Sequence, residues 1–230
     1  MAPVIQTIRL DLILKLGTVN CYLIQSDRGC ILIDTGPAQQ RAALEQALDN
    51  AGCAPGSLKL ILLTHGDFDH TGNAAFLRQK FGAKIAMHPG DAGMLERGDM
   101  FSNRKNANAF LRWIAPPMFG FGKAQRCSPD IALEEGFSLA DYGLVARVIH
   151  IPGHSAGSVG VLTAQGDLFC GDLIDNTKQP ALNSIIDDAQ GAAASIEKLS
   201  SLSLQTIYPG HGEAFPATAF FATLKPAAAL

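Results

Sequence analysis

The sequence predicts an α/β protein in which two β-rich layers pack face to face, with helices outside and polar residues gathered at one edge. Three observations point there. The continuous apolar run Cys30-Ile31-Leu32-Ile33 and the largely apolar residues 58–63 suit strands buried on both faces. Stretches rich in Ala, Leu, Gln and Glu, with apolar residues at helical spacing, lie between them. The two halves also echo each other. Each has a buried strand ending in aspartate (Ile33-Asp34, Gly171-Asp172), then a helix, then a strand ending in histidine (Thr64-His65, Gly210-His211).

Taken in order, residues 8–14 and 20–25 are expected as strands, with a turn at Gly17-Thr18-Val19-Asn20. Residues 30–34 form a strand that Thr35-Gly36-Pro37 ends. A helix over 38–51 carries Leu44 and Leu48 on one face, and Gly52 caps it. The strand at 58–63 delivers the chain into Thr64-His65. A helix over 71–81 stops at Gly82, and a strand at 84–87 ends at His88-Pro89-Gly90. Residues 91–127 differ: they are rich in Met and aromatic residues, with Pro116-Pro117, and read as a hydrophobic lid-like segment. Strands then follow at 137–139 and 144–151. Those at 159–163 and 168–173 are joined by the turn Ala164-Gln165-Gly166-Asp167. The chain closes with a helix over 189–202, a strand at 206–208 and a helix from about 216.

The 230 residues suffice for one substantial core, so a single domain over 1–230 is expected. A formal net charge of −3 argues against a nucleic-acid or anionic-membrane surface. The five cysteines form no CxxC pair, which suits reduced thiols in the cytoplasm. Arg9, Asp11 and Lys15 interrupt the one apolar stretch near the N-terminus, so neither a signal peptide nor a membrane span is expected.

The chemistry concentrates at Thr64-His65-Gly66-Asp67-Phe68-Asp69-His70. Imidazoles and carboxylates so close together would desolvate badly in a core unless a cation joined them. Nitrogen and oxygen donors suit Zn, Mn or Fe. Four such groups in one loop serve two ions better than one, and two ions need further ligands. His154 in Pro152-Gly153-His154-Ser155, Asp172 in Gly171-Asp172 and His211 in Pro209-Gly210-His211-Gly212 are the candidates, each beside glycine at the end of an apolar run.

With these motifs the chain resembles the metallo-β-lactamase superfamily, in its broad hydrolase branch. Asn20-Cys21-Tyr22-Leu23-Ile24, Leu32-Ile33-Asp34-Thr35-Gly36, the 64–70 loop, Gly153-His154-Ser155, Gly171-Asp172 and Gly210-His211-Gly212 carry the resemblance in order. It implies an αββα four-layer sandwich with two divalent ions at one edge. His65, Asp67 and His154 would hold the first ion, and Asp69, His70 and His211 the second. Asp172 would bridge them, and Asp34 would brace the loop from behind. The family pattern is His-x-His-x-Asp-His, and this chain departs from it at Asp67. Either an oxygen replaces nitrogen there, favouring Mn or Fe over Zn, or the shorter side chain reaches the first ion poorly.

The expected activity is hydrolysis of an ester-like acyl bond, a thioester or lactone for example, through a metal-bridged hydroxide, with Asp69 and Asp172 as catalytic groups. A covalent route through a serine nucleophile is not expected. Glutathione thioesters are demoted because only 19 residues follow His211. β-Lactams are demoted for want of an export signal. A di-iron redox protein with a separate electron-transfer partner, and a metal-stabilised binding module, are the alternatives. The expected partner is a small and possibly hydrophobic substrate, with a homodimer through 91–127 as a further option. His88, His150 and Cys170 read as structural.

Overall fold

The computed structural model describes residues 3–13, 17–105 and 122–224. One sheet holds β1 (Val4–Asp11), β2 (Thr18–Ser26), β3 (Gly29–Ile33), β4 (Leu58–Leu62), β5 (Lys84–Met87) and β6 (Ile131–Ala132), in that spatial order. Its first three strands are antiparallel, and β3 to β6 run parallel. The second sheet contains β7 (Ala146–His150), β8 (Val159–Thr163) and β9 (Leu168–Gly171). After a small ribbon of β10 (Ile174–Asp175) and β11 (Ala181–Leu182), it is completed by β12 (Thr206–Pro209) and β13 (Phe215–Pro216). Its order is β13-β12-β9-β8-β7.

Alternation along the strands explains why they are apolar throughout. Leu23, Leu32 and Ile61 face outward to Leu44 and Leu48 of α1 (Arg41–Asn50). The same layer takes Leu77 and Phe81 of α3 (Ala74–Phe81), which follows the single turn α2 (Phe68–Thr71). Their neighbours Tyr22, Ile24, Ile31, Ile33, Leu60 and Leu62 face inward, against Val148, Val159, Val161 and Phe169 of the second sheet. Outward from that sheet, Ile149, Leu168 and Ile207 pack on Ala192 and Leu199. Those two lie on the helix at Ala189–Ser200, and Phe220 of the last helix, Ala217–Phe221, joins them. Three apolar layers between four layers of structure make an αββα sandwich.

The sequence expectations need local correction. Thr18, Val19 and Asn20 are strand rather than turn, because β2 pairs with β1 all the way to Thr18 opposite Asp11. β1 starts at Val4, earlier than its apolar period shows, since one face of this edge strand is exposed and polar. Residues 137–139 make only an isolated bridge, Ser138 to Arg147, and the sixth strand is Ile131–Ala132 instead. The helix expected over 71–81 is divided, with Asn73 between α2 and α3 donating to the carbonyls of Thr35 and Pro37. His88 opens α4 (Pro89–Arg97), its Nδ1 accepting from the amide of Gly90. The start of the Met-rich segment is therefore helical, with Met94 and Leu95 buried. Phe110, Trp113, Ile114, Met118, Phe119 and Phe121 lie outside the described residues.

The echo between the halves has a structural basis. β3 pairs parallel with β4, and β9 pairs parallel with β12, so each half brings two strand C-termini to the same edge. Asp34 and Thr64-His65 leave the first pair, and Asp172 and Gly210-His211 the second. Asn20 ties the sheets together, its amide donating to the carbonyls of Pro209 and Gly212, and the Tyr22 hydroxyl donates to Pro209 as well.

Candidate metal centre

Each histidine of the cluster is oriented from behind. His70 Nδ1 lies 2.8 Å from Asp34 Oδ2, His154 Nδ1 lies 2.6 Å from the Ile185 carbonyl, and His211 Nδ1 lies 2.7 Å from the Thr18 carbonyl. These partners accept only, so each Nδ1 carries a proton, and in the neutral imidazole each Nε2 turns a lone pair inward. His65 Nδ1 meets Thr64 Oγ1 at 2.9 Å. That hydroxyl gives its own proton to Asp34 at 2.7 Å, so it accepts from His65 and fixes the same tautomer. Asp34 also accepts from the Thr64 amide, and it holds φ +60 at the end of β3 to do so. A non-glycine residue in the left-handed region is strained, and here three hydrogen bonds hold it in place.

Two groups of ligand atoms result. In one, the donor atoms of His65, His154 and Asp172 lie within 4.8 Å of one another; in the other, those of Asp69, His70 and His211 do. Asp172 reaches both: its Oδ2 is 3.9 Å from His65 Nε2 and 3.1 Å from His211 Nε2, and its Oδ1 is 3.3 Å from His70 Nε2. The close approach depends on Gly210, where a Cβ would collide with Asp172 and His70. Every histidine and aspartate expected as a ligand is gathered at this edge. Asp67 stands apart in its bonding. Its Oδ2 is 3.1 Å from His154 Nε2 and 3.7 Å from His65 Nε2, yet Arg104 Nη2 contacts both its oxygens, at 2.6 and 2.7 Å. Asp67 sits at the N-cap of α2, and its side chain makes no cap bond.

Burial alone would push the Asp67 carboxyl up, but the Arg104 charge holds it well below the usual range. Asp172 is likewise buried and likewise held low, by His211 and His70. Burial opposes a charged imidazole, yet Asp172 raises His211 to about 9, and Asp172 with Asp34 raises His70. Asp67 raises His154 against the same penalty. The pocket is thus carboxylate-rich and draws positive charge, which a divalent cation supplies without protons. A metal fits the donor set on a second ground. His65 Nε2, His70 Nε2 and Asp172 Oδ1 are buried and have no hydrogen-bond partner, and such atoms are costly unless something binds them.

The family model described as the metallo-beta-lactamase superfamily matches residues 14–211. The chain belongs to that superfamily. Hydroxyacylglutathione hydrolase GloC of Haemophilus influenzae is 30% identical over 67% of this chain and 66% of its own length. Acyl-coenzyme A thioesterase MBLAC2 of Gallus gallus is 28% identical over 86% of this chain and 74% of its own. Among solved structures, the protein TTHA1623 in a di-iron-bound form superposes with a TM-score of 0.70 at 27% identity, covering 94% of this chain and 98% of that one. The chain spans 60 to 66% of the length of the first curated relatives it matches.

Two residues at the superfamily's metal edge escaped the sequence reading. Asp91, fully buried on α4, accepts from the amides of Gly66 (3.0 Å) and Gly157 (2.8 Å), from Ser155 Oγ (2.5 Å) and from Asn103 Nδ2 (3.0 Å). It ties the loop of His65 to the loop of His154. Its sequence signal, acid in the first turn after Pro89, announces a helix start and nothing more. Arg104 is the other. It lies in a segment that reads as apolar lid, beside Lys105 and among several other charged residues, and nothing in the sequence sets it apart from them.

Proposed function

We propose that the chain is a metal-dependent hydrolase of ester-like acyl bonds, thioesters first and lactones next. Carrying the reading are the two facing ligand groups that share Asp172, with His65 Nε2, His70 Nε2 and Asp172 Oδ1 buried and without a hydrogen-bond partner. Divalent ions bound there would acidify water near neutral pH and polarise a carbonyl. The chain's own part is positioning. Asp34 and the carbonyls of Ile185 and Thr18 hold the imidazoles, and Asp69 accepts a hydrogen bond from the attacking water and aims it. Ser155, the serine beside His154, donates to Asp91 and shares a contact with Ser158 rather than with an imidazole, which disfavours a covalent route.

Thioesters come first because two of the named relatives, a hydroxyacylglutathione hydrolase and an acyl-coenzyme A thioesterase, act on them by their names. Glutathione thioesters, demoted above on chain length, therefore return to the candidates. No helix among the described residues is long and apolar enough to cross a membrane. All five cysteines are free and buried, which supports a reducing, cytoplasmic setting.

The test is a panel of acyl-coenzyme A and glutathione thioesters, lactones and p-nitrophenyl esters, run with Zn²⁺, Mn²⁺ and Fe²⁺. Hydrolysis that needs metal and disappears in His70→Ala supports the reading; a metal-loaded protein inert on the whole panel overturns it. The di-iron neighbour favours one second reading, redox chemistry with an electron-transfer partner. Bound iron with O₂ consumption in the absence of hydrolysis would select it.

A further inference from the structure

We propose that the Arg104 guanidinium is a built-in competitor for the first metal position, so that the two positions differ in affinity and fill in order. The inference rests on the reading of this edge as a metal centre. Arg104 Nη2 touches both oxygens of Asp67 and lies 3.2 Å from His154 Nε2. Those are the carboxylate and the imidazole lone pair that an ion between His65, Asp67 and His154 would need. The guanidinium is also anchored on its far side: Nε donates to the Met100 carbonyl at 3.2 Å and Nη1 to the His154 carbonyl at 3.0 Å. Arginine keeps its charge at every accessible pH, so it does not leave by deprotonating. An ion entering the first position must take Asp67 from it and then sit beside a buried positive charge.

Nothing comparable guards the second position among the described residues. Among the described residues, the ion pairs of Asp69 and Asp172 are with histidines alone. Asp69, His70, His211 and Asp172 therefore form the tight position. The first stays open to weak occupation because His65 Nε2 has no hydrogen-bond partner beside it. An aspartate in place of the second histidine of the family loop then has a physical reason: it gives the guanidinium a partner.

The test is a metal titration of chelator-stripped wild-type, Arg104→Met and Arg104→Gln proteins with Zn²⁺, against a chromophoric chelator, with circular dichroism to confirm folding. Wild type should show two classes of site separated by at least about tenfold in affinity. In Arg104→Met the weak class should tighten by about tenfold or more, while the tight class stays put. Arg104→Gln should move in the same direction, and it supplies the measurement if the Met variant does not fold. Two equivalent tight sites in wild type, or a weak class unmoved in both variants, would overturn the role of Arg104 and leave the metal-centre reading standing. A wild-type protein that takes up no metal would overturn both.

Discussion

The two ligand groups share Asp172 and one sheet edge, and they are completed in opposite ways. Around Asp69, His70 and His211, the neighbouring groups point the imidazoles inward and leave the ligand atoms for a cation from outside. Around His65 and His154, the chain brings its own cation, Arg104, to the carboxylate that stands between them. A one-residue change in a ligand loop thus does more than exchange nitrogen for oxygen. It alters which cation the pocket prefers, because a buried carboxylate close to an arginine is already neutralised.

The largest effect should come from erasing what the two positions share. Asp172→Ala should weaken metal at both by about a hundredfold or more, read as metal retained per chain after gel filtration. Retention of one tight ion would show that Asp172 is not common to the two. Asp34→Asn should separate them. His70 is held by Asp34 directly and His65 only through Thr64, so the tight position should lose about ten- to a hundredfold in affinity and the weak one less. Stability should fall by about 1–3 kcal/mol, measured by denaturant titration. Asp91→Asn should act the other way round. An amide cannot accept from all four donors that meet Asp91, and the strands of loop it ties carry His65 and His154. We expect a cost of about 2 kcal/mol and a disturbance confined to the weak position.

The smallest effect is a pH dependence. In the metal-free protein His211 is raised from 6.5 to about 9 by Asp172, against the cost of burial. The stability it contributes as a cation is fully present below pH 6.5 and is lost as pH rises through about 9. Melting temperature in chelator should therefore fall between those values. With metal bound the imidazole is already unprotonated, and the fall should vanish. Equal slopes with and without metal would place His211 outside the centre.

Much of this was legible in the sequence because ligand chemistry is local. Histidine and aspartate beside glycine at the ends of apolar runs mark strand C-termini, and parallel pairing brings such ends together. The division of each strand between two apolar layers also follows from the continuous runs. Arg104 was not legible, since its meaning depends on a contact with Asp67 that spans 37 positions, and nothing near it in sequence selects that partner. Asp91 was hidden similarly: its helix was read as part of the lid-like segment, and its four donors come from distant loops. The start of β1 was misplaced because an exposed edge strand can be polar and still be paired, and that of β2 because its pairing with β1 runs on through Thr18, Val19 and Asn20.

The most direct measurement of the contrast is anomalous diffraction from crystals grown with one equivalent of Zn²⁺ or Mn²⁺ per chain. We expect a single peak among Asp69, His70, His211 and Asp172, with Arg104 still on Asp67. A peak between His65 and His154, with Arg104 displaced, would contradict the ordering of the two positions, and the absence of any peak would contradict the metal centre itself.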